Sequence, residues 1–312
     1  MQFFKKQPTF DFMGKRKLAM IFSATLVLIS IGSLIQQQLS FGIDFTGGTV
    51  IEVGYENSIV LADIRQALAG EFDDAVVQNF GTTRDVLIRI APREGTSSAE
   101  VSVRVLEKLQ AQADARVDIR RVEYVGPQVG EELAIQGTLA LVYALGGILV
   151  YVWLRFIGWQ FALGSVIALL HDVIITLGVF SILQLDFDLT ILAAILAVIG
   201  YSLNDTIVVF DRIRENFRKM RTGNPAEVIN TSLNQTLSRT MMTSMTTLLV
   251  LISLFVWGGK LINGFASALI IGVVIGTYSS IYVASNVLVV FNVSKTDLMP
   301  VKKEGADIHE GP

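Results

Sequence analysis

Apolar residues follow two patterns in this chain, and the change between them sets its organisation. Long apolar runs lie at about 18–35, 133–154, 161–183, 189–210, 239–257 and 264–291. Each is near the roughly 20 residues that a helix needs to cross a bilayer core. Between the first two runs, residues 36–130 fall to the polarity of a soluble domain. Here 49–55, 75–80, 85–91 and 116–125 alternate as strands do, the last through Val117, Ile119 and then Val122. Residues 61–69 read as a helix with Leu61, Ile64 and Leu68 on one face and Ser58 as a cap. A second helix to about Ala113 opens at Ser97 or Ser98 with Glu100, and turns Val101, Val105, Leu106 and Leu109 inward. The order β-α-β-β-α-β is the split βαβ, or ferredoxin-like, unit. The predicted fold class is a polytopic α-helical membrane protein of six transmembrane helices, with a ferredoxin-like α+β domain between helices 1 and 2.

Charge orients these elements. Lys15, Arg16 and Lys17 precede the first run, which is followed by glutamines with no small-x-small cleavage site, so it reads as an uncleaved helix. Arg155, the arginines and lysine of 212–221, and Lys295, Lys302 and Lys303 fall on the same side of a six-span topology as the N-terminus. Basic loops stay in the cytoplasm, which puts both termini there and the domain outside. The expected division is 1–17 inside, 18–35 as the first helix, 36–130 as the external domain, 131–291 as helices 2 to 6, and 292–312 as an inner tail. Residues 125–132 read as the link between domain and second helix, a loop and cap or else a hinge at Gly126, Pro127 and Gly130.

A hydrophobic share of 52% exceeds that of a soluble domain, and the net charge of -3 says little about partners. With no cysteine and two histidines, His171 and His309, disulfides, thiolate catalysis and a histidine-built metal site drop out. There is no phosphate loop, no Ser-His-Asp order and no basic tract with interleaved aromatics. The chain therefore reads as neither an enzyme nor a nucleic-acid binder, with no cofactor and no metal; any work draws on an ion gradient or a partner.

Three polar sets interrupt or border the apolar runs. Asn204 and Asp205 lie in the fourth, where an Asp costs about 2.5–3.5 kcal/mol at a helix centre and usually faces protein or water. The alternative is reach to headgroup water at the inner end. Ala193, Ala197, Gly200 and Asn204 form a stripe of small groups suited to a close helix neighbour, and Ala194, Val198, Tyr201 and Asp205 run beside it. Arg239 opens the fifth run on the same side, with Thr243, Thr246 and Thr247 beyond it. Asp205 and Arg239 at one depth would suit proton transfer, because burial favours the neutral acid and a nearby guanidinium the ionised one. Arg239 snorkelling to headgroups is the alternative. In the third run His171 and Asp172 are a candidate secondary relay, though a satisfied polar pair between helices is the reading preferred.

Four motifs together resemble the SecF side of the SecD/SecF protein-export family, within the resistance-nodulation-division superfamily. They are Phe-Gly-Ile-Asp-Phe-Thr-Gly-Gly at 41–48, Val-Gly-Pro-Gln-Val-Gly at 125–130, Gly-Tyr-Ser-Leu-Asn-Asp-Thr-Ile-Val-Val-Phe-Asp-Arg at 200–212 and Thr-Leu-Ser-Arg-Thr at 236–240. The resemblance implies a proton-driven auxiliary of the Sec translocase in the bacterial inner membrane, acting on preproteins at the periplasmic side. Implied partners are SecD, the SecYEG translocon and its associated subunits, unfolded preprotein and membrane lipid. It puts Asp205 and Arg239, with Asn204, in the proton path, and makes Asp44, Gly47, Gly48, Gly126, Pro127 and Gly130 signature positions.

Two alternatives remain. A small-molecule efflux half-transporter would share the fold and proton pair, although the external region here is small for one. An intramembrane protease would need Asp172 and Asp205 as a dyad at one depth, and their positions along the runs differ.

Overall fold

The computed structural model describes residues 9–93, 96–112, 117–156, 158–220 and 224–293. The expectations placed on residues 1–8, Ala113, Arg116, Arg221 and the tail from 294 fall outside the described residues.

Six helices are long and apolar enough to cross a membrane. They are α1 (Arg16–Gln36), α5 (Pro127–Phe156), α6 (Trp159–Leu183), α7 (Leu189–Lys219), α8 (Pro225–Trp257) and the Lys260–Val290 span. That last span is α9 (Lys260–Ser279), a π-helical turn (Ser280–Ala284) and α10 (Ser285–Val290). In α6 and α7 about half of the apolar window is buried within the chain, against 6% for α5 and 17% for α1 and α8. The core of the bundle is therefore α6 and α7, and the other helices turn apolar surface outward, as lipid or a partner helix requires.

Between α1 and α5 a four-stranded antiparallel sheet forms from β2 (Gly48–Tyr55), β3 (Val76–Asn79), β4 (Asp85–Ile90) and β5 (Val117–Val125), in the order β3-β4-β2-β5. Helices α3 (Leu61–Leu68) and α4 (Ser98–Gln112) contribute Ile64, Leu68, Val101, Val105 and Leu109 to the core beneath Ile51, Val53, Val86, Ile88 and Val117. Ser97 and Glu100 form a reciprocal capping box at the start of α4. Ser58 caps nothing, contrary to expectation: Val60 is the N-cap of α3, and the Ser58 hydroxyl pairs with Thr83. The step from Ile119 to Val122 in the alternation of β5 is a bulge. Glu52 pairs with Arg121 and Val53 with Ile119, so Arg120 is left over and reaches Asp85 at 2.6 Å.

Three expectations about connections fail. Residues 125–132 are not a loop, because α5 begins at Pro127, where a ring that lacks N–H costs the first turn nothing. The stretch 211–238 is helical nearly throughout, since α7 runs on to Lys219 and α8 starts at Pro225 behind the Asn224 cap. Arg239 consequently sits well inside α8 instead of opening it. The 41–48 motif holds the end of β1 (Ser40–Phe41) and a one-turn helix, α2 (Ile43–Thr46), and β1 pairs in parallel with β6 (Asp186–Phe187).

Candidate functional site

Asp205 lies on the buried side of α7, 3% exposed, and its Oδ2 has no hydrogen-bond partner. Thr243, Ser244 and Arg239 of α8 act on this carboxyl group, and the Ser244 hydroxyl lies 2.7 Å from that of Thr277 on α9. Thr206 and Thr240, buried on the same two helices, also carry unpartnered hydroxyls. Threonine and serine on α8 mostly bond back to carbonyls three or four residues earlier, as Thr243 does to Arg239 and Thr240. Three unpartnered polar atoms, on Asp205, Thr206 and Thr240, are therefore buried in these two helices.

Arg239 makes no ion pair with Asp205. Its side chain is exposed, and its charge acts on the carboxyl group from a distance. The stripe next to Asp205 is likewise open: Ala193, Ala197, Gly200 and Asn204 are all exposed, and a methyl group added at Gly200 would meet nothing. Asn204 therefore faces away from the carboxyl group of Asp205, toward whatever lies beside α7.

His171 and Asp172 occupy a different node. Asp172 is fully buried; its Oδ2 accepts from Ser202 at 2.6 Å and Ser279 at 2.8 Å, and its Oδ1 is 2.9 Å from His171 Nδ1. Every carboxylate oxygen is thus engaged away from Asp205, and no protease-like dyad forms.

The signature glycines and Asp44 build the corner that joins the domain to the bundle. Gly47 and Gly48 have φ of 69° and 120°, a region that favours glycine. An added Cβ would come within 2.9 Å of Pro127 Cα at Gly47, 2.4 Å of Ile90 O at Gly48 and 2.8 Å of Gly47 N at Gly130. Gly130 and Pro127 are therefore packed against the double glycine rather than free to act as a hinge. Gly126 has open space, with only the Tyr124 hydroxyl at 4.0 Å. The Asp44 carboxylate accepts the Leu189 amide at 3.0 Å, and Asp188 takes the Ile191 amide at 3.0 Å, so two acids serve the positive end of α7.

Two junction groups gave no sequence signal. Asp186 receives Arg89 at 2.8 Å and Gln78 at 2.6 Å, tying β4 and β3 to β6 just before α7. Lys260, at the head of α9, reaches Asp85 at 3.2 Å and lies 4.6 Å over the Phe80 ring. The Thr82 hydroxyl, then Lys260 and Arg120, hold the Asp85 carboxyl below its usual range. Short acidic and basic positions far apart in the chain can be matched only once the sheet has folded against the helix ends. Between them lies a cleft of about 670 Å³ lined by the helix-free face of the sheet and residues of 184–191 and 255–267.

These features define a multi-pass membrane protein with an α+β domain packed on its helix ends and a buried carboxyl group within its bundle. Comparison with known proteins makes the class particular. Residues 105–294 match the family described as protein export membrane protein SecD/SecF, C-terminal, and residues 32–59 match the SecD/SecF GG motif. The protein translocase subunit SecF of Vibrio alginolyticus is 52% identical over 100% of this chain and 99% of its own length. That of Pseudomonas aeruginosa is 51% identical over 94% of each. The crystal structure of SecDF from Thermus thermophilus, a translocon-associated membrane protein, superposes with a TM-score of 0.82 at 37% identity, over 91% of this chain and 39% of that one. This chain belongs to the SecD/SecF protein-export family.

Proposed function

We propose that this chain is the SecF-type auxiliary subunit of the Sec translocase, which works with a SecD subunit and uses the proton gradient to promote preprotein translocation and release at the periplasmic side. The carrying observation is Asp205, an acid 3% exposed with an unpartnered oxygen in a transmembrane helix of a chain half-identical to SecF throughout. Asp205 takes and gives the proton; Arg239 supplies a fixed charge, since a guanidinium does not deprotonate. The exposed stripe at Ala193, Ala197, Gly200 and Asn204 supports a SecD helix as neighbour, which would cover Asn204 and Arg239 and complete the proton path. SecYEG, with its associated subunits, and unfolded preprotein are the further partners.

The chain lies in the bacterial inner membrane with both termini cytoplasmic and the 36–130 domain periplasmic. Arg155, Arg212, Arg214 and Arg218 at the bundle end away from the sheet support that orientation. The strand order β3-β4-β2-β5, with one helix after β2 and another after β4, supports a ferredoxin-like assignment.

The test is gradient-dependent preprotein release in inverted vesicles whose ATP-driven step is complete. Asp205→Asn should reduce release to the level seen without a gradient while the complex assembles normally. Arg239→Met should do the same, and Asp205→Glu should retain part of the response. An Asp205→Asn vesicle that responds as wild type does would overturn the assignment. Orientation has its own check, because the chain lacks native cysteine. A single cysteine at Ala75, Gln184 or Lys260 should react with an impermeant maleimide from outside, and one at Asn224 should not.

A further inference from the structure

The His171–Asp172 node joins four helices. Asp172 of α6 takes Ser202 of α7 and Ser279 of α9, and the His171 ring lies against that of Tyr278 with centroids 6.3 Å apart. The Tyr278 hydroxyl donates to the Ala19 carbonyl of α1 at 2.8 Å and pairs with Ser23 at 3.0 Å. One polar atom in this otherwise satisfied group has nothing to bond: His171 Nε2, on a side chain only 6% exposed.

We propose that His171 and Asp172 form a second proton-binding site, separate from Asp205, which takes up and releases one proton at His171 Nε2. The proton count follows from the bonds. Ser202 and Ser279 both donate to Oδ2, so Oδ1 is the atom shared with His171 Nδ1. With Asp172 ionised and the imidazole neutral, Nδ1–H donates to Oδ1, Nε2 is bare, and the pair carries one negative charge. Adding a proton puts it on Nε2, whether the shared hydrogen then sits nearer nitrogen or oxygen, and the pair becomes neutral. A sealed net charge is costly among apolar helices, and a neutral pair removes that cost. The unpartnered atom is thus the one at which the two states differ.

The side chains named from α7, α9 and α1 bring no fixed charge into contact with the pair. From α7 the pair meets Ser202, and Asp205 lies one turn further and faces α8. From α9 it meets Ser279 and Tyr278, with the Tyr282 ring 5.3 Å beyond in the π-helical turn. From α1 it meets Ser23 through Tyr278. Of the side chains that bond Asp172, Ser202 and Ser279 are neutral and His171 is ionisable. The site does not depend on the export reading, and its test reads the imidazole itself rather than transport.

With only His171 and His309 in the sequence, ¹⁵N-histidine labelling of the full chain in lipid nanodiscs gives two imidazoles, and His309→Gln leaves one. At about pH 9 His171 should show one protonated and one bare nitrogen, with the proton on Nδ1; by about pH 5 the bare signal should convert to a protonated one. The midpoint should move in Asp172→Asn, or in Ser202→Ala if that variant does not fold. A bare Nε2 signal that persists across the range, or a midpoint unmoved by loss of the carboxylate or its donor, would overturn the proposal.

Discussion

Asp172 and Asp205 sit in neighbouring helices, both buried, and the protein treats them in opposite ways. Around Asp172 the chain has placed three hydrogen-bond partners, from His171, Ser202 and Ser279, which fix its carboxyl group between helices. Asp205 has an unbonded oxygen, buried hydroxyls that are themselves unbonded, and an arginine held away from it. The contrast separates two uses of an acid in a membrane. One ties helices together through its oxygens; the other leaves an oxygen unbonded within the same bundle.

The strongest way to break this comparison is to remove each acid in turn. Asp172→Leu strands two serine hydroxyls and an imidazole, and should cost about 2–4 kcal/mol of unfolding stability in mixed micelles. Asp205→Leu removes a group with little to lose and should change stability by less than about 1 kcal/mol. Equal losses in an SDS titration would erase the distinction.

A smaller effect sharpens it. Ser202→Ala and Ser279→Ala should each cost about 0.6–1.7 kcal/mol, the range of single interhelical bonds in membranes. The double variant should fall short of the sum, because both hydroxyls serve Asp172 Oδ2. Full additivity in the same titration would mean that the two bonds act separately.

Smallest is the effect expected at Asp85, in the α+β domain. Its ordinary range is near about pH 3.9 and the folded protein holds it lower, so its contribution is present above that range and lost as pH falls through the folded value. Below about pH 4, hydrogen exchange in β4 and at the head of α9 should rise while the Asp172 node stays protected. Lys260→Ala should reproduce the rise at neutral pH, by no more than about 1 kcal/mol, since the Lys260 side chain is partly solvated. Unchanged exchange in β4 under both treatments would show that the ion pair does not hold the junction.

Period and capping made much of the fold legible: six apolar runs, alternating strands and the Ser97–Glu100 box are local signals. What the sequence misled on was tertiary. Gly126 and Pro127 look like a break, yet proline at a helix start is favourable and Gly130 is small because Gly47 lies against it. Arg239 looked like a boundary because hydropathy counts residues and not turns, and α8 had begun fourteen residues earlier at Pro225. Asp205 stood out because charge in an apolar run is conspicuous. The partners of Asp172 did not, since Ser202 and Ser279 read as ordinary small residues until three helices meet. Asp44 gave a motif without a role, as its partner, the Leu189 amide, lies far along the chain.

That last contact gives α7 a mechanical character. Its first amide is gripped by an acid from the double-glycine corner, and the helix holds no proline from Leu189 to Lys219. Leu189 and Asp205 are separated by about 24 Å at 1.5 Å per residue. A helix of that length without a proline break would act as a push-rod: a shift imposed at the corner would be carried to the carboxyl group. The corner is packed too closely to absorb such a shift, so the domain and α7 would travel as one piece, and the give would have to come where α7 slides against α8.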